Sequence, residues 1–444
     1  MTVYKRNKTS LIIKAMKTQQ MPMSLFLRLG MVAILFFCFV ANATTPPEVA
    51  DLLSKARESA AEGDFTASNR HYEDALRAGA DSLPCLQAMA DNAMAAKDYE
   101  TVLVLCPMIR SLDDWKPYTY NYQAQANAAK GNLDSAVEDV VTLVDLVGID
   151  NDSYEAMTAV ADKDLNKMAD GFRQCRSNDV NNPVWSQCLG TIFTYARLYD
   201  KACDAYLDAL RLDPQSDEDM ESLALLYNQM RQYEYALRYS LMAMETNPDN
   251  PSYVCNHAII LRNAGRDNEG IAQLTKAMRD TTSYAPLYTY RGLLQASNGK
   301  YEAALGDYNA ALKIEPQDAP TLLRKGIALT KLGRRKEARK VFEEVVKLDY
   351  THWSGTALAQ AYLGNRKAVD EYIKYATAQK QRVDNYFSLA AMSDVLNRPQ
   401  EALHFLSLAL KENALNPDII QYDQSLVSVK KLPAYKTLMA TYGH

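Results

Sequence analysis

Residues 285–318, APLYTYRGLLQASNGKYEAALGDYNAALKIEPQD, are followed by APTLLRKGIALTKLGRRKEARKVFEEVVKLDY at 319–350, and the two stretches share one plan. Small residues fall at Gly292, Ala304 and Ala311 in the first, and at Gly326, Ala338 and Val345 thirty-four positions later. Gly299 and Gly333 occupy the same offset between them, and Pro316 closes the first stretch. Tyr288, Leu294, Leu305, Tyr308, Leu312 and Ile314 recur at the three- and four-residue spacings of helices with one apolar face. Each stretch therefore predicts two antiparallel helices. Gly299 ends the first of them, because glycine accepts the left-handed backbone that terminates a helix. The small residues let the two helices approach closely, and Tyr301 and Tyr308 fill the space beside that contact.

A period of 34 with small residues in fixed phase is a tandem-repeat signature. Stepping by 34 from Ala285 gives starts at Pro183, Asp217, Pro251 and Ala319. The eighth residues of these five stretches are Gly190, Ala224, Ala258, Gly292 and Gly326, and the twentieth are Ala202, Ala236, Gly270, Ala304 and Ala338. Upstream starts at Val49, Leu83 and Pro117 place Ala56, Ala90 and Ala124 at the eighth position, with Gly63 and Gly131 at turns. Asn151 to Asn182 fits poorly past Ala161 and reads as a degenerate helix pair. Trp353 to Arg382 reads as a shortened unit with Gly364 at its turn, and Val383 opens another copy carrying Ala390, Ala402 and Ala409. The tail after Asn416, through Tyr422, Leu426 and Leu438, reads as an amphipathic cap, which a stack of repeats needs on its last open face.

This pattern resembles the tetratricopeptide repeat, and the resemblance extends over nearly everything after residue 48. It implies an all-α fold, an α-solenoid of tandem helix-turn-helix repeats wound into a right-handed superhelix. The expected divisions are an export signal at 1–43, a short lead at 44–48, and repeats at 49–182 with the last degenerate. Regular repeats follow at 183–352, a shortened and a full repeat at 353–416, and a cap at 417–444.

The export signal rests on three features. Lys5, Arg6, Lys8, Lys14, Lys17 and Arg28 precede an apolar run from Leu29 to Val40, and Ala41-Asn42-Ala43 supplies a small-x-small cleavage pattern. The run is too short to span a bilayer. Cleavage would start the mature chain at Thr44 in the periplasm or cell envelope. It would leave 43 Lys and Arg against 54 Asp and Glu, a net charge near −11, which argues against nucleic acid and anionic membranes as partners.

Catalytic and metal signatures are sparse. The histidines at 71, 257, 352, 404 and 444 are scattered without metal-ligand spacing, and His257, beside a small position, reads as a packing residue. Asp213, Asp217, Glu218 and Asp219 lack the glycine and final glutamate of a calcium loop and read as a helix start. Neither a phosphate-cradling loop nor a nucleophile elbow is present, so neither enzyme activity nor a cofactor is expected. Cys85, Cys106, Cys175, Cys188, Cys203 and Cys255 follow the cleavage site, where an oxidising compartment permits disulfides without the helix stack requiring them.

The resemblance implies that the concave face is lined by fixed positions of each first helix. These include Asn121, Tyr122, Gln125, Gln187, Tyr195, Asn228, Asn256, Arg262, Tyr290, Arg324 and Lys331. Amide, aromatic and basic groups suit an extended peptide, so a peptide or protein partner is expected. A carbohydrate, stacked on tyrosines such as Tyr118, Tyr122 and Tyr290, is the alternative. The carboxylate clamp of some tetratricopeptide domains is not recognisable. Asn256 fits its central place, but Glu221, Leu225, Pro286 and Tyr290 stand where other members belong.

Overall fold

In a computed structural model of the chain, the repeated pattern becomes a series of antiparallel helix pairs. The structure describes residues 46–113, 115–280, 283–348, 353–378, 386–411, 417, 420 and 425–442. The predicted export signal, the start at Thr44, Val383, Tyr422, His352 and His444 lie outside the described residues.

The chain divides into two units, one ending at Leu212 and one beginning at Asp213. The first holds α1 (Pro47–Ala61), α2 (Phe65–Arg77), α3 (Ser82–Ala95), α4 (Tyr99–Leu112) and α5 (Tyr118–Lys130). It continues with α6 (Leu133–Val147), α7 (Asn151–Asn178), α8 (Val184–Tyr195) and α9 (Tyr199–Leu212). The second opens with α10 (Asp217–Gln229), α11 (Tyr233–Thr246), α12 (Pro251–Asn263), α13 (Asp267–Asp280) and α14 (Ala285–Ser297). Then come α15 (Tyr301–Ile314), α16 (Ala319–Lys331), α17 (Arg335–Lys347), α18 (Ser354–Leu363) and α19 (Arg366–Ala378). It ends with α20 (Tyr386–Val395), α21 (Pro399–Lys411), a 3₁₀ turn (Val429–Lys431) and α22 (Pro433–Tyr442). The described residues contain no strand. Within each unit, each first helix packs on its own second helix, and second helices pack on the first helix of the next pair, except at the shortened repeat, where α18 packs directly on α20.

The pairs are tight because of a size match sixteen residues apart. A Cβ added at Gly190 would lie 2.6 Å from the ring of Tyr206, at Gly292 2.7 Å from Tyr308, and at Gly326 2.5 Å from Phe342. Each ring therefore lies directly on bare helix backbone. Where the first helix carries alanine at this place, as at Ala90, Ala124 and Ala258, the residue sixteen on is Cys106, Val140 or Leu274, and all six are buried. Ala56 with Tyr72 departs from that rule.

The turns inside the pairs need a left-handed residue. Gly63, Gly131, Gly265, Gly299, Gly333 and Gly364 supply it, with φ between 74° and 83°. Lys97, Arg197, Arg231 and Asn397 hold the same conformation at φ near 60° without being glycine. Asp64, Asp98 and Asp318 cap the helices that follow them, each accepting from a backbone N–H three residues on. The acidic loop behaves the same way. Ser216 Oγ accepts from the Asp219 N–H, and Asp217, Glu218 and Asp219 form the first turn of α10.

The degenerate stretch 151–182 has no glycine turn. It runs as α7 with a break at Asp164 (φ −155°, ψ 97°), whose side chain accepts from the Lys167 N–H and starts the helix again. At the other end of the second unit, buried Asp394 on α20 anchors the closing segment. Its carboxylate accepts from the backbone N–H groups of Val427 (2.5 Å), Ser428 (2.8 Å) and Val429 (2.5 Å), while Leu426 and Val429 enter the core.

The ring-on-backbone contact is testable at Gly326, where Phe342 is held from its far side by Tyr362, stacked 4.7 Å away. Alanine favours a helix interior over glycine by about 1 kcal/mol, but overpacking costs about 1–3 kcal/mol and the trapped ring has nowhere to go. Urea unfolding of Gly326→Ala is expected to show a net loss, partly recovered by adding Phe342→Leu. A Gly326→Ala chain more stable than the parent would contradict the contact.

Candidate partner-binding groove

Five of the eleven first-helix positions expected to face a partner are bonded to the neighbouring repeat. Asn121 on α5 is buried, and its amide donates to Asp152 (3.1 Å) and Glu155 (3.3 Å) on α7, while Gln125 donates to Asn121 Oδ1 (2.8 Å). The Tyr122 hydroxyl donates to Asp91 (2.9 Å) on α3, and that of Tyr195 to Asp162 (2.5 Å) on α7. In the second unit Asn256 donates to Glu221 Oε1 (2.6 Å), and Asn263 donates to Asn228 Oδ1 (3.1 Å). Each inter-repeat bond joins residues between 31 and 35 apart in sequence. These amides and hydroxyls thus form a polar ladder along the stack, with their hydrogen-bonding capacity largely directed into the protein.

The remaining positions separate. Gln187 and Lys331 are half-buried on α8 and α16, and Tyr290 packs against the cluster of Cys255, Leu274, Met278 and Leu287. Arg262 and Arg324 come together. Both line a pocket of about 370 Å³ in the second unit, Arg262 from α12 and Arg324 from α16. Its other walls are Leu293, Ala296 and Ser297 from α14, Tyr301 and Tyr308 from α15, Pro320, Leu323, Ile327 and Ala328 from α16, then Trp353, Leu358, Phe387, Ser388 and Ser425. Trp353 opens the shortened repeat, Phe387 is the fifth residue of the copy opened by Val383, and Ser425 lies in the closing segment. The 34-residue grid does not assign Trp353 and Ser425 to the groove, whereas Phe387 holds the same offset in its copy as Asn121 and Gln187 in theirs.

The pocket is electropositive. Among the described residues its walls carry no carboxylate. Burial raises the pKa of the Tyr308 hydroxyl, and the guanidinium groups of Arg324 and Arg262 act the other way. Nearby Arg291 is different: its guanidinium is held by Asp307 through two bonds (2.6 and 2.9 Å) and by Thr275 (3.1 Å), so its charge is spent on structure.

Other polar groups in the interior have structural partners. His257 Nδ1 lies 2.7 Å from Ser240 Oγ, and burial, with Arg266 assisting, depresses the imidazole to about 4, so it is neutral at physiological pH. The cysteines at 85, 106, 175, 188, 203 and 255 are free thiols, and burial lifts Cys85 to about 11 and Cys106 and Cys255 to about 12. Such thiols are poor nucleophiles. Among the described residues no group of three His, Cys, Asp or Glu side chains could hold a metal, and no helix is long and apolar enough to cross a membrane. The tyrosines considered for carbohydrate stacking offer little open face. Tyr118 and Tyr122 meet edge to face at 5.4 Å, and both are half-buried.

Residues 295–364 match the family model described as tetratricopeptide repeat. The chain is similar to human tetratricopeptide repeat protein 13, 29% identical over 172 residues, which is 37% of this chain and 20% of that protein. It is also similar to the TPR repeat-containing thioredoxin TDX of Arabidopsis thaliana, 31% identical over 117 residues, covering 26% of this chain and 31% of the relative. The aligned stretches span 20% to 34% of such relatives' own lengths. Among solved structures it is similar to yeast Tom70, 12% identical with a TM-score of 0.36, covering 82% of this chain and 96% of that one. The family match over 295–364 coincides with the helix pairs α14 to α18, and the same pairing and period recur through both units.

The polar ladder has a pH signature. Burial raises the Glu221 carboxyl from 4.5 to about 7, against the lowering effect of the Asn256 hydrogen bond. A raised carboxyl favours folding most at low pH, and that contribution is lost as pH rises through about 7. Relative to Glu221→Gln, the parent chain is expected to lose on the order of 2 kcal/mol of unfolding free energy between about pH 4.5 and 7.5. Urea titrations at the two pH values give the difference directly, and a difference that does not change with pH would refute the assignment.

Proposed function

We propose that this chain is an exported, non-catalytic scaffold that holds a peptide or protein partner along the first-helix face of its repeats. The observation that carries the reading is the pocket of the second unit, where Arg262 and Arg324 share walls with Tyr301, Trp353 and Phe387. Pockets of this size with apolar walls and a few placed charges are the usual form of a binding site. Export is supported by the basic region, apolar run and Ala-x-Ala pattern before Thr44. A stack of repeated helix pairs supplies many positions for contact and few for chemistry, which suits adaptor work.

The test is capture from the chain's own envelope fraction, using the chain from Thr44 as bait and Arg324→Ala as the comparison. Circular dichroism establishes that both baits are folded. A partner retained by the first bait and lost by the second is expected, and intact-mass analysis of the native protein is expected to find Thr44 as its first residue. Equal capture by both baits would move the site off this face. Absence of any protein on either bait would reject the scaffold reading in favour of a carbohydrate ligand.

A further inference from the structure

The pocket also indicates what kind of segment it receives, an inference that rests on the scaffold reading above. Arg324 is half-buried on α16, and among the described residues it makes no hydrogen bond or ion pair. A guanidinium removed from water without a counter-charge loses solvation that nothing returns, and a carboxylate arriving opposite it restores a charge-assisted bond. Arg262, 8% exposed on α12, reaches the same walls but lies near the Asp267 carboxylate, so the charge left uncompensated here is that of Arg324, in a chain whose formal net charge is −5. Composition alone would make an acidic surface the default here. The pocket departs from it.

The rest of the lining restricts the ligand further. Leu293, Ile327, Leu358, Tyr301, Trp353 and Phe387 give apolar and aromatic walls, which reward a large apolar side chain and penalise a second charge. Ser388 adds a hydroxyl able to bond a peptide backbone, and Ser297, which donates to the Leu293 carbonyl, can still accept. The lining is drawn from α12, α14, α15, α16, the start of α18, and α20, so an occupant touches several successive helix pairs. That favours a chain running along the stack over an isolated small anion. A phosphodiester chain is disfavoured because it would bring many charges towards an acidic protein and few apolar groups towards these walls.

We propose that this pocket takes an extended peptide segment in which an acidic side chain stands next to a large apolar one, the carboxylate on Arg324 and the apolar group between Tyr301, Trp353 and Phe387.

The experiment titrates the full chain from Thr44 by calorimetry with N-acetylated, C-amidated nonapeptides. Three share one serine- and glycine-based frame around a central Glu-Phe, Gln-Phe or Glu-Ala pair. A fourth ends in Phe with a free carboxylate and lacks the Glu. The Glu-Phe peptide is expected to bind at least about tenfold more tightly than either blocked control, and to weaken as ionic strength rises. Arg324→Gln is expected to bind Glu-Phe and Gln-Phe alike, while Arg324→Lys keeps part of the preference. Circular dichroism of both variants separates lost binding from lost folding. Equal affinity of the parent for Glu-Phe and Gln-Phe, or no binding of Glu-Phe at millimolar concentration, overturns the proposal. Tightest binding by the free-carboxylate peptide also overturns it, since the anion would then be a chain end. None of these results bears on whether a partner is captured on the first-helix face, so failure here and failure of the scaffold reading are distinguishable.

Discussion

The contact on which the remaining structure depends is an aromatic ring laid on the bare backbone of a neighbouring helix. At Gly190, Gly292 and Gly326 there is no room for a single carbon between the first helix and the ring of Tyr206, Tyr308 or Phe342. Dispersion and burial both favour so close an approach, and interiors packed at this density tolerate little change in volume. Because helix pairs are fastened in this way, or by an alanine facing a smaller side chain sixteen residues on, the next pair can stack in a fixed register. That register is what brings side chains more than thirty residues apart within hydrogen-bonding reach. It is also why residues from five first-helix elements, Arg262 to Phe387, can line one pocket.

A second layer of order follows from the first. Asn121, Tyr122, Gln125, Tyr195, Asn228 and Asn256 occupy face positions, yet each bonds to a neighbouring side chain, most of them one repeat away. A buried amide or carboxylate without a partner is costly, so such bonds fix the register as well as satisfy the groups. The face of the stack is therefore not uniformly available. In the second unit the polar ladder involves Glu221, Asn228, Asn256 and Asn263, and Arg324 stands beyond it beside aromatic walls. The proposed binding site lies where the ladder gives way.

The helix pairs were legible because their determinants are local and periodic. Small residues at a 34-residue spacing and glycine at the turn can be seen without coordinates, and Ala304, Ala338 and Gly292 are buried where the pattern put them. The turns at Lys97, Arg197, Arg231 and Asn397 were not legible, because a left-handed backbone at a non-glycine residue is imposed by its flanking helices and leaves no residue-type mark. The break at Asp164 was visible only as a loss of phase after Ala161. For the groove, sequence position identified the face but not the bond partners. Asn121 and Arg324 look equivalent as polar first-helix residues, and only the neighbouring helices decide that one is bonded inward while the other faces a pocket. Trp353 escaped because it sits where the period shortens, while Phe387 was legible from its offset, which it shares with Asn121 and Gln187.

The central claim is that partners engage the first-helix face of the second unit and that second helices serve to hold it. Amide hydrogen exchange of the full chain with and without its captured partner tests this most directly. The account predicts added protection over α12, α14 and α16, together with the residues around Tyr301, Trp353 and Phe387, and little change in α13 and α17. Protection confined to those second helices, or to the first unit alone, would contradict it.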